Sequence, residues 1–193
     1  MTITTITPPR LFTFAGGTSG QWRVERVLPV TGATLDATSH VAVVAGPFLQ
    51  PTASASWLLR GITSNERYVI REEKARLVGR QEGLGRAAAT FAALIPIRKS
   101  PAWWTLTQDE RRELFETASR HIAIGLQYLP AVARRLHHCR DLGPNEAFDF
   151  LTWFEYAPSD EPAFESLLEK LRASPEWTYV DREVDIRLVR EDA

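Results

Sequence analysis

With 193 residues the chain has the size of one domain or of two small packed halves, and it can bury a core without a disulfide or metal staple. Its 23 Lys and Arg against 24 Asp and Glu leave a net charge of −1, which excludes the broad basic field of a non-specific nucleic-acid binder. The single cysteine, Cys139, excludes an internal disulfide framework and a four-thiolate zinc site, and it suits a reducing, cytoplasmic setting.

No apolar run approaches the ~20 residues of a membrane helix, and Met1–Arg10 lacks the basic-then-apolar pattern of a secretion signal, so no membrane partner is expected. Six tryptophans in an otherwise ordinary composition either fill the core or line a pocket for a large flat ligand.

The first 63 residues lack a helical period. Short alternating or apolar runs at Arg10–Ala15, Trp22–Leu28, Val41–Ala45 and Trp57–Ile62, separated by Gly16-Gly17, Thr31-Gly32 and Pro51, predict four strands. A helix is expected from about Ile70 to Gln81, with Glu72, Glu73, Lys74 and Arg76 as its polar face, followed by a turn at Gly83-Leu84-Gly85. Ala89–Arg98 reads as a buried strand. Thr107-Gln108-Asp109-Glu110 has the form of a capping box and predicts one helix to about Leu126, stopped by Pro130. Leu114, Ala118, His121, Ile122 and Gly125 would then share a buried stripe, with Gly125 leaving room for a neighbour to approach closely.

Val132–Leu142 and Ala147–Ala157 flank a Gly143-Pro144-Asn145 turn and alternate as an antiparallel pair. Glu161–Ala173 repeats the helical period through Phe164, Leu167, Leu168 and Leu171, and Trp177–Val189 closes as a strand. The order strand, helix, strand, strand, helix, strand is that of a ferredoxin-like unit. Residues 1–88 read as an incomplete copy of that unit and residues 89–193 as a complete one, an α+β fold.

Of four histidines, His121 alone is placed by periodicity on a helical core stripe, where a hydrogen-bonded core histidine is the simplest role. His137 and His138 are strand neighbours that point to opposite faces, so with Cys139 they do not make a convincing metal site. Strand alternation turns one of Arg134 and Arg135 inward. A face carrying Arg134, Leu136 and His138 beside Thr152 and Phe154 would hold a guanidinium in apolar surroundings, which is costly unless it meets an anion; the alternative is an exposed charge pair. Neither a nucleophile elbow nor a phosphate loop is present. A cofactor enzyme or a binding module fits better than side-chain chemistry alone.

The run Ile95-Pro96-Ile97-Arg98-Lys99-Ser100-Pro101-Ala102-Trp103-Trp104, then His121, then Arg134 thirteen positions on, then Asp149-Phe150-Leu151-Thr152-Trp153-Phe154-Glu155 and Pro175-Glu176-Trp177, resembles the chlorite dismutases over about Gly61 to Val189. The resemblance implies a haem b protein of two ferredoxin-like halves, a dimeric α+β barrel with a reduced first half and a haem-binding second half, and for so short a chain a homodimer. It implies His121 as the iron ligand, Glu176 as acceptor of the other His121 ring N–H, and Arg134 as the arginine on the opposite face of the haem. Lys99, Trp103 and Tyr68 match haem contacts, Trp104 would pack beside the histidine-bearing face, and Leu136, Thr152 and Phe154 would form the wall around Arg134. The implied activity is conversion of chlorite to chloride and dioxygen, with chlorite and similar small anions as partners. Coproheme decarboxylases of the same fold are one alternative, although Ile95-Pro96-Ile97-Arg98 offers no tyrosine and Arg134 is present. A non-catalytic haem-binding protein is another.

Overall fold

A computed structural model describes residues 9–46, 55–64, 67–143 and 145–191. The N-terminal stretch before residue 9, expected from its sequence to carry no secretion signal, and the turn residues Pro51 and Pro144 lie outside the described residues.

All four N-terminal strands form, as β1 (Leu11–Gly17), β2 (Trp22–Thr31), β3 (His40–Ala45) and β4 (Ala55–Thr63). They are followed by α1 (Arg71–Arg80), β5 (Phe91–Lys99), α2 (Pro101–Thr105), α3 (Gln108–Arg112), α4 (His121–Gln127), β6 (Ala133–His138), β7 (Phe150–Tyr156), α5 (Glu161–Arg172) and β8 (Val180–Arg190). The strands close into one antiparallel barrel in the order β1-β3-β2-β8-β5-β7-β6-β4. Strands β5 to β8 occur in space as β8-β5-β7-β6, and β1 to β4 repeat that arrangement as β4-β1-β3-β2. In the first set β1 passes to β2 through the short segment Thr18–Gln21, whereas β5 reaches β6 through α2, α3 and α4. None of the helices among the described residues is long and apolar enough to cross a membrane.

Alternation divides the apolar residues between two cores. Phe14, Trp22, Val41, Leu94, Leu151, Trp153, Ile186 and Leu188 fill the barrel interior. Ala93, Ile95, Ile97, Phe150, Phe154 and Tyr156 face outward and are covered by Phe164, Leu167, Leu168 and Leu171 of α5. Each of these four side chains is almost completely buried and contributes about 1.5–3 kcal/mol on that account. The second core frames the candidate site.

Two sequence expectations are corrected. The single helix expected over 107–126 is broken. The capping box forms, with the Thr107 amide donating to Glu110 Oε2 at 2.7 Å, but α3 gives way to a π-helical turn over Glu113–Ala118 and to Arg120 in the left-handed region at φ 53°. The Glu116 carboxylate then accepts the Ile122 amide at 2.7 Å and the Ala123 amide at 3.3 Å, which caps a new helix beginning at His121. Ala118 is exposed as a result, and the five-residue stripe does not form. In addition, Trp177 belongs to a 3₁₀ turn, Pro175–Tyr179, and β8 starts only at Val180.

His137 faces the barrel interior, edge-on to Phe12 and Phe14, and its Nε2 accepts a hydrogen bond from Arg135 Nε at 3.2 Å. Burial, with the Arg135 charge adding to it, pushes its pKa down from 6.5 to about 4 against the opposing hydrogen bond with Leu151. The folded chain therefore binds this proton more weakly than the unfolded one, so the contribution is complete above pH 6.5 and is lost as pH falls towards 4. The loss should be on the order of 3 kcal/mol. His137→Leu should flatten that part of the pH dependence. Urea midpoints at pH 7 and 4.5 check this, and an equal drop in both proteins would assign the acid sensitivity elsewhere.

Candidate active site

Between the outward face of β5, β6 and β7 and the helices α1, α4 and α5 lies a cavity of about 370 Å³. Ile95, Ile97, Leu136, Phe150, Phe154 and Leu168 make its wall largely apolar, and His121, Glu176, Lys99, Arg134, Trp103, Tyr68 and Thr152 bring polar groups to it.

His121 sits at the first residue of α4, where the helix break delivers it. Its Nδ1 lies 2.8 Å from Glu176 Oε2. Glu176 is 4% exposed and its other oxygen accepts Lys99 Nζ at 2.8 Å. Burial alone would raise the Glu176 pKa; the charges of His121 and Lys99 and the hydrogen bonds from both overcome this and bring it down to about 2. An ionised carboxylate only accepts, so Nδ1 carries the proton of this hydrogen bond, and in the neutral ring the lone pair is left to Nε2. The Glu176 amide in turn donates to Ser119 Oγ at 2.8 Å, so the turn carrying Glu176 is tied to the residue before the helix break. Phe115 stacks on the imidazole at 4.3 Å, and Trp177 lies near-parallel to it at 6.4 Å.

Lys99 is committed to Glu176, with its ammonium above the rings of Trp103 at 4.7 Å and Trp177 at 5.3 Å. The indole N–H of Trp103 and the hydroxyl of Tyr68 are buried on the cavity wall with no hydrogen-bond partner among the described residues. Unsatisfied buried donors cost about 1–3 kcal/mol each, which a ligand carrying acceptor oxygens would recover. Tyr68 adopts a left-handed backbone at φ 63°, and its carbonyl accepts a hydrogen bond from Arg112, itself paired with Glu73 of α1 at 2.5 Å.

Strand register decides between the two arginines. Arg134 pairs with Phe154 and Leu136 with Thr152, so these four share the cavity side, while Arg135 turns into the barrel over Phe12. Among the described residues the Arg134 guanidinium has no hydrogen-bond or ion-pair partner. Burial lowers its pKa and the Glu116 charge opposes this, but a guanidinium still carries its charge at neutral pH. The guanidinium packs on Gly125, where a Cβ would overlap it. Gly125→Ala should therefore displace Arg134 rather than unfold α4. The thermal midpoint should stay the same or rise, since alanine improves helix propensity by up to about 1 kcal/mol, while anion affinity at the site falls. A variant that melts early and binds anions normally would contradict this.

Trp104 lies outside the cavity lining. It stacks on Phe150 at 6.1 Å, and its indole N–H donates to Asp149 Oδ2 at 3.3 Å. His137 and His138 point to opposite faces, and burial pushes the Cys139 thiol far up. No cluster of three metal-ligating side chains occurs among the described residues. Phe115, Ile122, Gln81 and Leu168 also line the cavity, although the sequence marks Ile122 and Leu168 only as buried helix positions, Gln81 only as a helix end and Phe115 not at all. Trp177 joins them, and its place next to Glu176 was the available signal.

A family model described as chlorite dismutase matches residues 40–191. A chlorite dismutase of Ideonella dechloratans is 34% identical over 126 residues, 63% of this chain; the match covers 40% of that protein's length. A dimeric chlorite dismutase from Nitrobacter winogradskyi is 58% identical with a TM-score of 0.86, covering 93% of this chain and 99% of that one. The chlorite dismutase of Candidatus Nitrospira defluvii in complex with imidazole shares the fold at 20% identity and a TM-score of 0.66, over 95% of this chain and 92% of that one. With a matched segment that holds β5 to β8 and every polar group named on the cavity wall, the chain belongs to the chlorite dismutase family.

Proposed function

We propose that the chain is a haem b enzyme that converts chlorite to chloride and dioxygen. The observation that carries this reading is the pairing of His121, oriented by Glu176 at Nδ1, with an Arg134 guanidinium that has no partner among the described residues, on one apolar cavity. The residues fit haem b: one imidazole for iron, apolar walls from Ile95, Leu136, Phe154 and Leu168 for the macrocycle, and the orphaned donors of Trp103 and Tyr68 for its carboxylates. When bound, the haem supplies oxygen-atom transfer between chlorite and ferric iron and the rejoining of the two oxygens.

The protein's part is binding and electrostatics. Glu176 holds the His121 ring N–H and makes the imidazole a stronger donor to iron. Arg134 attracts the chlorite anion and holds the hypochlorite formed from it, without titrating near neutral pH. Leu136, Phe154 and Thr152 line the space beside Arg134, where Leu136 and Phe154 keep water out and the Thr152 hydroxyl offers a hydrogen bond. The balance is one chlorite consumed for one chloride and one dioxygen. An oxygen electrode reading after chlorite addition to the haem-reconstituted chain tests the proposal. A Soret band without oxygen release would support the non-catalytic alternative. The decarboxylase alternative is disfavoured by Ile95-Pro96-Ile97-Arg98 before Lys99 and by Arg134.

We read the repeated strand order as two ferredoxin-like halves, 1–88 and 89–193, with haem held by the second. A homodimer is supported by the dimeric Nitrobacter winogradskyi relative. Light scattering should give about twice the 21.7 kDa chain mass, and a pentamer or a stable monomer would refute it. The single, buried Cys139 supports a cytoplasmic setting.

A further inference from the structure

We propose that Glu183 is a positioning residue for the His121–Glu176 pair, acting through the indole of Trp177. On β8, Glu183, Asp185 and Arg187 occupy alternate positions and so share the outward face, beneath α5. Glu183 and Asp185 are fully buried and Arg187 nearly so. Arg172, at the end of α5, donates to Glu183 Oε1 through Nε at 2.9 Å and Nη2 at 2.7 Å, and its Nη2 also reaches Asp185 Oδ2 at 2.9 Å. Arg187 pairs with Asp185 and carries the ladder out to Glu165.

Burying such a ladder is weak evidence for stability, because well-packed apolar side chains of the same volume commonly do as well or better. What apolar side chains cannot supply is an acceptor at the inner end. Arg172 occupies Oε1 of Glu183, and Oε2 accepts the Trp177 indole N–H at 2.7 Å. Trp177 is the residue after Glu176 in a single 3₁₀ turn, and its ring lies beside both His121 and Lys99. The turn that presents Glu176 is thus tied by the Ser119 hydroxyl on the Glu176 amide, by Lys99 on the Glu176 carboxylate, by the Ser100 amide on the Tyr179 carbonyl and, through the neighbouring indole, by Glu183. Without the Glu183 bond the indole loses that anchor, and the neighbouring Glu176 carboxylate, still paired with Lys99, is held less tightly against Nδ1.

The test has an arm without haem, in which the full-length apo chain is examined by nitrogen-15 NMR for the Trp177 indole N–H and the His121 Nδ1–H. Glu183→Leu should move the indole signal out of its hydrogen-bonded position and broaden the His121 signal by faster exchange. Trp177→Phe, which keeps an aromatic ring and removes no charge, should broaden the His121 signal alone, and it preserves the test if the Leu variant fails to fold. Glu183→Gln keeps one acceptor oxygen for the two donors Arg172 and Trp177, so its signals should fall between those of the parent and of Glu183→Leu. Asp185→Asn cuts the same ladder one step further out and should change neither. A second arm rests on the proposed haem ligation: in the ferrous, haem-loaded chain, Glu183→Leu and Trp177→Phe should lower the iron–histidine stretching frequency in the direction of Glu176→Gln. An unmoved His121 signal in both Glu183→Leu and Trp177→Phe, or an equal effect from Asp185→Asn, overturns the assignment. Absence of an iron–histidine band in the unmutated protein would instead refute the ligation reading, and the apo arm would still decide the role of Glu183.

Discussion

His121→Ala is expected to yield a folded chain that no longer retains haem. The side chain lies at the start of α4 on the cavity wall, 20% exposed, and belongs to neither hydrophobic core. Alanine is well tolerated in a helical first turn, and Glu176 keeps Lys99 as a partner, so the buried carboxylate is not stranded. The cost in stability should stay within about 1–3 kcal/mol, the usual range for losing one partner of a buried polar group. Haem affinity should fall far more. Removing a partner of a metal ligand typically weakens binding about 10–100-fold, and removing the ligand itself should exceed that. The haem-to-protein absorbance ratio after reconstitution and desalting measures the effect. An unchanged ratio with an unchanged ferric spectrum would mean that another residue binds iron.

Arg134→Ala should retain haem and lose most of the catalysis. Among the described residues the Arg134 guanidinium has no hydrogen-bond or ion-pair partner, so its removal orphans none of them, and its neighbours Gly125 and Phe154 need no charge beside them. Loss of one preorganised donor to an anion costs roughly 3–4 kcal/mol in the transition state, a fall of about 10²–10³ in rate. Turnover should also end sooner, because hypochlorite that leaves the cavity can attack haem and the aromatic side chains around it. Total oxygen per haem, with and without methionine as a hypochlorite scavenger, separates the two effects. Methionine should prolong turnover in the variant. If it does not, or if variant and parent have equal yields, Arg134 does not confine hypochlorite. Gly125→Ala, which moves the same guanidinium without removing it, should show a weaker form of this defect.

Much of this could be read before folding was considered. Strand alternation through Arg134, Leu136, Thr152 and Phe154 correctly placed these side chains on one face, because period-two geometry is local and the registers of β6 and β7 agree with it. The apolar positions of α5 were equally legible, since an uninterrupted helix has a fixed period and Phe164, Leu167, Leu168 and Leu171 obey it. The spacing of His121, Arg134 and Glu176 identified the family. Gly125 was expected to admit a neighbour, although nothing in the sequence said that the neighbour was Arg134.

Tertiary structure alone decided the details on which the site depends. Thr107–Leu126 has the pattern of one helix, but a left-handed Arg120 breaks it, and the break is held by the Glu116 cap and by Ser119 receiving the Glu176 amide. It turns His121 towards Glu176 and brings Phe115 onto the imidazole, six positions away, where a continuous helix would have set them apart. Trp103 and Trp104 look alike in sequence, yet Trp103 reaches the cavity and Trp104 stacks on Phe150. The charges alternating along β8 look like a solvated face and are instead a buried ladder, because α5 returns Arg172 over them. Local sequence dictates period and propensity, which settle which side of an element a residue occupies; the bonds that break the helix and bury the charges join residues from six to 57 positions apart across different elements, and they exist only once the chain has folded.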